Sequence, residues 1–200
     1  MSGPLHFGIT YDYLCPFARN ANEHVVTALR AGAPWEVTFV PFSLTQAKAS
    51  ETGEPRWDAP AVLRRSGLLA LAVAEVVREH APERFLNAHL ELFALRHDRA
   101  EDLRDPEPIA QALGRVGLPT SLVDRAEEGL GPLRAAHESM VGREVWGVPT
   151  LLGRSRAVFV RLLDRPGPDA SGSEERIERL VRMVDDEPML HEFKQVDLPR

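Results

Sequence analysis

The stretch from His6 to Phe42 reads HFGITYDYLCPFARNANEHVVTALRAGAPWEVTFVPF. Its alternating, aromatic-rich start, His6–Tyr13, predicts a strand. Pro16–Ala31, ended by Gly32, predicts a helix, and Trp35–Phe42 predicts a second strand. A strand, a helix and a strand with short connections form a βαβ unit, whose right-handed crossover makes the two strands parallel.

The middle of the chain has a different pattern. From Pro60 to about Gly142 it is helical, beginning with the apolar segment Val62–Val77, and it gives no strand signal. Proline and glycine predict helix breaks near His80–Pro82, Asp105–Pro106, Gly117–Pro119 and Gly129–Pro132.

Strand character returns at Val148–Leu152 and Ala157–Leu163, and the four residues Gly153–Arg156 between them suit a hairpin. A last helix is indicated by Ser171 and Glu174, which have the spacing of a capping box, and by an apolar face of Ile177, Leu180, Val181 and Val184.

The order of elements is therefore βαβ, a helical block, then ββα. We expect an α/β chain with a thioredoxin-like fold. Residues 1–58 and 144–200 would form the thioredoxin-like domain, and residues 59–143 an all-helical insertion between its halves.

Composition limits the classes of partner. The 200 residues are 44% hydrophobic, enough for one domain with a large insertion, and the net charge of -6 is interspersed along the chain. No cationic face is offered to a phosphate backbone, so we expect no nucleic acid partner. The longest apolar run, Gly67–Val77, is far shorter than the roughly 20 residues of a membrane span. Met1–Pro4 runs into the first strand without a secretory signal pattern, so we expect a cytoplasmic protein with no membrane partner.

Cys15 is the only cysteine, which excludes an intramolecular disulfide and any multi-cysteine zinc or iron–sulfur site. It lies where the first strand leads into the helix, and Pro16 suits the first helical turn. Because a helix N-terminus favours an anion, we expect a partly exposed thiol with a lowered pKa that alkylates faster than free cysteine. The alternative is a small buried hydrophobic residue.

A second segment, Trp146-Gly147-Val148-Pro149-Thr150, places a proline immediately before a late strand. There a thioredoxin-like fold has a cis-proline loop against the cysteine, although a trans proline at the start of a strand is common. We predict a cis Val148–Pro149 bond, with the Val148 backbone facing Cys15.

Other side chains are open to two interpretations. His97 continues an apolar helical stripe and is either a satisfied histidine or a polar group pointing into the cleft. Asp12 is either a buried acid that tunes the thiol pKa or a residue that ends the strand. Trp57, Phe17 and Trp146 are candidates for an apolar cleft wall or for the core.

With YDYLCPF at residues 11–17 and GVPT at residues 147–150, the chain resembles the DsbA family. More narrowly, it is similar to actinobacterial members of the mycothiol-dependent nitroreductase type. Weaker matches are Arg96–His97, Gly117–Pro119 and the tail His191–Lys194.

The resemblance implies thiol–disulfide exchange or thiol-dependent reduction, with Cys15 as nucleophile. It also implies that the backbone before the cis-proline grips an extended substrate or thiol. We accordingly expect substrate contacts from Pro16, Phe17, Ala18, Trp57, His97, Val148, Pro149 and Thr150. Neither a metal nor a tightly bound cofactor is implied; a low-molecular-weight thiol, mycothiol or glutathione, would be the co-substrate.

This sequence departs from the family at Ala18, where a second cysteine is usual, so a mixed disulfide on Cys15 cannot be resolved from within. Relatives resembling kappa-class glutathione transferases and hydroxychromene-carboxylate isomerases also lack the dithiol. The first interpretation is therefore a monothiol oxidoreductase-like enzyme that acts on a small-molecule or protein thiol or disulfide. The second is a glutathione- or mycothiol-dependent transferase or isomerase, and the third a non-catalytic thiol- or peptide-binding protein. The substrate, the identity of the thiol and the formation of a homodimer are left open.

Overall fold

The computed structural model describes residues 4–52, 57, 62–64, 67–167, 170–187 and 189. In chain order the elements are β1 (Leu5–Tyr11), α1 (Pro16–Arg30), β2 (Trp35–Pro41), α2 (Leu44–Thr52), α3 (Leu68–His80), α4 (Phe85–His97), α5 (Pro106–Arg115), α6 (Ala126–Val141), β3 (Thr150–Leu152), β4 (Ala157–Phe159) and α7 (Ala170–Asp186). Short 3-10 turns lie at Val62–Arg64, Pro82–Arg84 and Thr120–Arg125.

The four strands form one sheet in the order β2-β1-β3-β4. β1 and β2 are parallel in register from Leu5↔Trp35 to Tyr11↔Pro41, whereas β3 is antiparallel to both β1 and β4. The β3–β4 hairpin is closed by the Gly153 N–H, which donates to the Arg156 carbonyl at 2.8 Å. This confirms the α/β thioredoxin-like arrangement and the predicted hairpin.

The described residues between β2 and β3 contain helices and no strand, as the helical insertion requires. α3 is its central element, because every residue from Leu68 to Val77 is buried. The proposed boundaries near residues 59 and 143 remain a prediction, and residues 58–61 lie outside the described part. The tail His191–Lys194 also lies outside it.

One of the four predicted helix breaks is wrong. α6 runs without interruption through Gly129–Pro132, with Pro132 inside the helix. A Cβ atom at Gly129 would lie 2.0 Å from the Ala72 carbonyl oxygen, so this glycine permits the close crossing of α3 and α6. Pro132 has no N–H, so the carbonyl of Glu128 lacks its usual helical hydrogen bond. Glu128 is exposed, and water can take the place of the missing donor.

Other element bounds also differ from expectation. β3 and β4 are shorter than predicted, and α3 begins only after Gly67, whose φ of 82° interrupts the apolar segment that starts at Val62. α7 starts at Ala170, so Ser171 lies in its first turn rather than at the predicted capping position. α2 was not predicted, because its sequence has no apolar stripe.

None of the helices in the described ranges is both long enough and apolar enough to cross a membrane.

Candidate active site

The connection between β1 and α1 is organised by Asp12, which is fully buried. Its carboxylate accepts the Leu14 N–H at 2.9 Å and the Leu44 N–H at 2.8 Å, while its own carbonyl accepts the Cys15 N–H at 3.0 Å. Burial raises the pKa of Asp12 to about 6, and the two backbone N–H donors limit that rise. Asp12 thus holds the turn before the cysteine and the start of α2 together.

Cys15 is the N-cap residue of α1, with extended backbone (φ -95°, ψ 117°) and Pro16 in the first turn. Its Sγ accepts a hydrogen bond from the Ala18 N–H at 3.4 Å. The sequence predicted this position at the N-terminus of α1. The backbone N–H groups of the first helical turn have no partner within the helix and can donate to the sulfur.

The exposure and pKa expected for Cys15 are wrong. The residue is only 8% exposed, and burial raises the pKa of its thiol. The Ala18 and Phe17 N–H groups lower that pKa and the Asp12 carboxylate raises it, so tuning by Asp12 opposes thiolate formation. Loss of solvation outweighs the helix N-terminus because protein covers the sulfur.

The cis-proline loop faces the thiol. The Val148–Pro149 bond is cis, as predicted, and the Cys15 thiol donates to the Val148 carbonyl at 3.4 Å. The sulfur therefore lies between the first turn of α1 and the backbone that precedes β3.

Hydrogen bonds fasten this loop to both neighbouring strands. The Thr150 N–H donates to Thr10 Oγ1 at 2.8 Å, and the Thr150 hydroxyl donates to the Gly147 carbonyl at 2.8 Å. On the other side, the Val160 N–H donates to the Pro149 carbonyl at 3.0 Å. Thr150 is buried and both of its donors are used inside the protein, so it positions the loop rather than offering a free group to a substrate.

Two histidines of α4, in the helical block, bind the connection between β1 and α1 (Asp12–Cys15), which we call the cysteine junction. His97 Nε2 lies 2.9 Å from the Tyr13 carbonyl, and His89 Nδ1 lies 3.0 Å from the Tyr13 hydroxyl. His89 Nε2 in turn lies 3.0 Å from Asn22 Oδ1, and the Asn22 amide donates to the Ala18 carbonyl at 2.8 Å. His97 is thus a satisfied histidine bound to the junction rather than a group pointing into the cleft.

The sequence analysis missed His89. It is fully buried, and burial lowers its pKa to about 3, so it is neutral. Phe85, His89, Phe93 and His97 recur at intervals of four along α4, and their rings contact one another in sequence. The constant spacing of four residues predicts His89 on the same face as His97, whereas the stripe of Leu86, Leu90, Phe93 and His97 does not include it.

The three aromatic residues considered for the cleft wall lie in different surroundings. Trp57 packs against His137 of α6, with ring centroids 5.6 Å apart, and adjoins the core. Trp146 is 73% exposed and packs against Phe159 at 5.1 Å. Phe17 is half-buried, two residues after Cys15. Phe17 and Trp146 therefore remain candidates for the cleft wall, and the contacts of Trp57 give it a packing role.

Comparison with known proteins identifies the fold. The structure is similar to the cytosolic disulfide reductase DsbM from Pseudomonas aeruginosa with GSH, with a TM-score of 0.59, 16% identity, and coverage of 89% of this chain and 100% of that chain. It is also similar to Pseudomonas aeruginosa DsbA, with a TM-score of 0.55, 18% identity, and coverage of 94% and 86%. The chain has the thioredoxin-like fold of the DsbA proteins.

A putative protein disulfide isomerase from Nitrosomonas europaea gives a TM-score of 0.59 at 12% identity, covering 91% of this chain and 99% of that one. No protein family model and no curated protein sequence matches the chain. Identities this low establish a shared DsbA-type fold and leave the activity to be argued from the site.

The raised thiol pKa predicts a slow thiol at neutral pH. Only the thiolate attacks, so the alkylation rate of Cys15 should increase with pH and reach half of its maximum above about 8.5, the value for free cysteine. Because Cys15 is the only cysteine, iodoacetamide labelling followed by intact mass measures it directly. The same chain unfolded in denaturant is the control. A folded-state midpoint at or below the unfolded one would contradict the dominance of burial.

Proposed function

We propose that this chain is a DsbA-family thiol oxidoreductase that acts through one cysteine. The observation that carries the proposal is the place of the Cys15 sulfur, 3.4 Å from both the Ala18 nitrogen and the Val148 carbonyl oxygen. A thiol between a helix N-terminus and a cis-proline loop has backbone N–H donors on one side and a backbone carbonyl on the other. That arrangement suits disulfide exchange with a peptide or small thiol.

The proposed reaction has two exchanges. The Cys15 thiolate attacks a substrate disulfide, so a bond from Cys15 to one substrate sulfur forms, the substrate S–S bond breaks, and the other sulfur leaves as a thiolate that takes up a proton. An external low-molecular-weight thiolate then attacks the substrate sulfur of the mixed disulfide, so a disulfide between that thiol and the substrate half forms, the bond to Cys15 breaks, and Cys15 leaves as a thiolate. The second exchange must be external because Ala18 occupies the position of a resolving cysteine.

The contacts available to a substrate come from the two sides of the thiol. We propose that Pro16 and Phe17 at the start of α1 and the Val148 and Pro149 backbone hold the attached half of the disulfide. A protein or small-molecule disulfide would be the substrate, and mycothiol or glutathione the co-substrate. A cytoplasmic location fits this chemistry, because the cytosol maintains a pool of reduced thiols.

One observation favours a second function, a thiol-dependent transferase or isomerase. The Cys15 thiol donates a hydrogen bond to the Val148 carbonyl, and burial raises its pKa. A neutral thiol that turned this S–H from the Val148 carbonyl to the sulfur of a bound glutathione or mycothiol would polarise that sulfur without attacking it.

Incubation with oxidised low-molecular-weight thiols separates these functions. The wild-type chain is treated with glutathione disulfide or mycothiol disulfide at pH 8.5 and weighed intact, with Cys15→Ser as the control. The monothiol function predicts an adduct on the wild type only, which free thiol then removes. Thiol binding in calorimetry without any adduct would favour the transferase or isomerase, and absence of both adduct and binding would contradict both functions.

A further inference from the structure

A cation lies over Phe17 in the first turn of the helix that Cys15 caps. The Arg161 guanidinium carbon is 5.3 Å from the centre of the Phe17 ring and 5.7 Å from that of Phe159. Phe17 belongs to the first turn of α1, and Arg161 directly follows Val160, whose N–H is bound to the Pro149 carbonyl. Arg161 therefore lies between the first turn of α1, which Cys15 caps, and the segment that is bound to the cis-proline loop.

Among the described residues, Arg161 has no acidic partner. In the described part of the chain no carboxylate forms a salt bridge with it, whereas Arg19, Arg165 and Arg176 on neighbouring elements are paired with Asp98, Glu23 and Asp164 respectively. Arg161 is exposed, and the faces of two aromatic rings hold its guanidinium in place, leaving its N–H donors available to a carboxylate.

Burial raises the pKa of Cys15, and the positive charge of Arg161 is one of the smaller effects that oppose this rise. The opposing Asp12 charge is buried and already bound to two backbone N–H groups. The chain as a whole has a net charge of -6 and repels anions at long range. If Cys15 reacts faster with anionic reagents, the attraction therefore comes from a nearby positive charge and not from the net charge of the chain.

We propose that Arg161 is a specificity residue that binds a carboxylate on the half of the disulfide joined to Cys15, an inference that rests on the proposed monothiol function. The substrate class is then carboxylate-bearing thiols and their disulfides. Glutathione has free carboxylates, whereas the cysteine carboxyl group of mycothiol is held in an amide. The Arg161 site thus selects glutathione, or a peptide with an acidic side chain near its cysteine, over an uncharged sugar thiol.

The test compares three disulfides that differ in charge: those of 3-mercaptopropionate (anionic), 2-mercaptoethanol (neutral) and thiocholine, whose quaternary ammonium group stays cationic at high pH. Adduct formation on Cys15 is followed by intact mass for the wild type, Arg161→Gln, Arg161→Lys and Arg156→Gln. Arg156 is the matched control because it is exposed and lies at the other end of β4, beside the hairpin turn. Rates are taken from the high-pH plateau, where the thiol is fully ionised, so that a change in the Cys15 pKa does not enter.

Relative to the wild type, Arg161→Gln should slow the anionic disulfide about fivefold, the upper range for one exposed ion pair, with the neutral disulfide within about twofold and the cationic one faster. Arg161→Lys should keep most of the preference, added salt should reduce it, and Arg156→Gln should leave all three rates within about twofold. A fall of equal size for all three disulfides, or no change for any, would overturn the role of Arg161 and leave the monothiol function standing. Failure of the wild type to form an adduct with any of them would overturn the function itself and the specificity site with it.

Discussion

Replacing Gly129 with alanine is expected to lower the free energy of unfolding by about 3 kcal/mol, the upper range for overpacking in a core. The added Cβ would lie 2.0 Å from the carbonyl oxygen, 2.8 Å from the carbonyl carbon and 3.1 Å from the Cα of Ala72. These are backbone atoms in the buried part of α3, so no rotation of a side chain relieves the clash. α3 and α6 must move apart, and apolar packing on both of them is lost. Guanidinium unfolding followed by circular dichroism measures the change.

Gly131→Ala is the matched control, two residues further along the same helix. Gly131 is exposed, and a Cβ there meets nothing within 4 Å. Alanine is the better helix former, so this variant should gain about 0.5–1 kcal/mol. Similar midpoint shifts for the two variants would contradict the close crossing of α3 and α6.

The second large effect is expected from Ala18→Cys, which should form an intramolecular disulfide with Cys15. The two positions are one helical turn apart, and the Ala18 nitrogen is already 3.4 Å from the Cys15 sulfur. Cα atoms one turn apart fall within the roughly 4.4–6.8 Å that a disulfide spans. The variant should lose both thiols under mild oxidant, and release of a mixed disulfide from Cys15 should become independent of added thiol.

Ala21→Cys is the control for this variant. Ala21 is as fully buried as Ala18 and lies on the same helix, but six residues separate it from Cys15, a rise of about 9 Å that a disulfide cannot span. Thiol counting with Ellman's reagent in denaturant should find no free thiol in oxidised Ala18→Cys and two in Ala21→Cys. Two thiols in both would contradict the active-site geometry.

Much of the fold follows from local pattern. The alternating strand, the proline-started helix and the second strand predict the βαβ unit, and a proline before a late hairpin places the cis-proline loop against Cys15. These features depend on neighbours in sequence, such as side-chain period, turn residues and helix ends. α2 escaped prediction for the same reason, because its residues have no apolar periodicity.

What the sequence could not provide depends on contacts across the fold. A helix N-terminus at Cys15 is visible in the sequence, but the protein that covers the sulfur is not, and that cover reverses the expected direction of the pKa shift. A glycine and a proline such as Gly129 and Pro132 are typical of a helix break. The close approach of Gly129 to Ala72 shows instead that the glycine permits two helices to pack closely. Arg161 gave no sequence signal, because only the hairpin and the first turn of α1 together bring it over Phe17.

Because α4 is hydrogen-bonded to the cysteine junction, we expect the reactivity of Cys15 to depend on a helix that is distant from it in sequence. His89 and His97 hold Tyr13 by its hydroxyl and its carbonyl, and Asn22 continues the chain of hydrogen bonds into α1. A local opening of α4 would remove these bonds at once and leave the junction free to expose the sulfur. We therefore expect amide hydrogen exchange at Tyr13 and Leu14 to follow the opening of α4, and alkylation of the buried Cys15 to depend on the same opening.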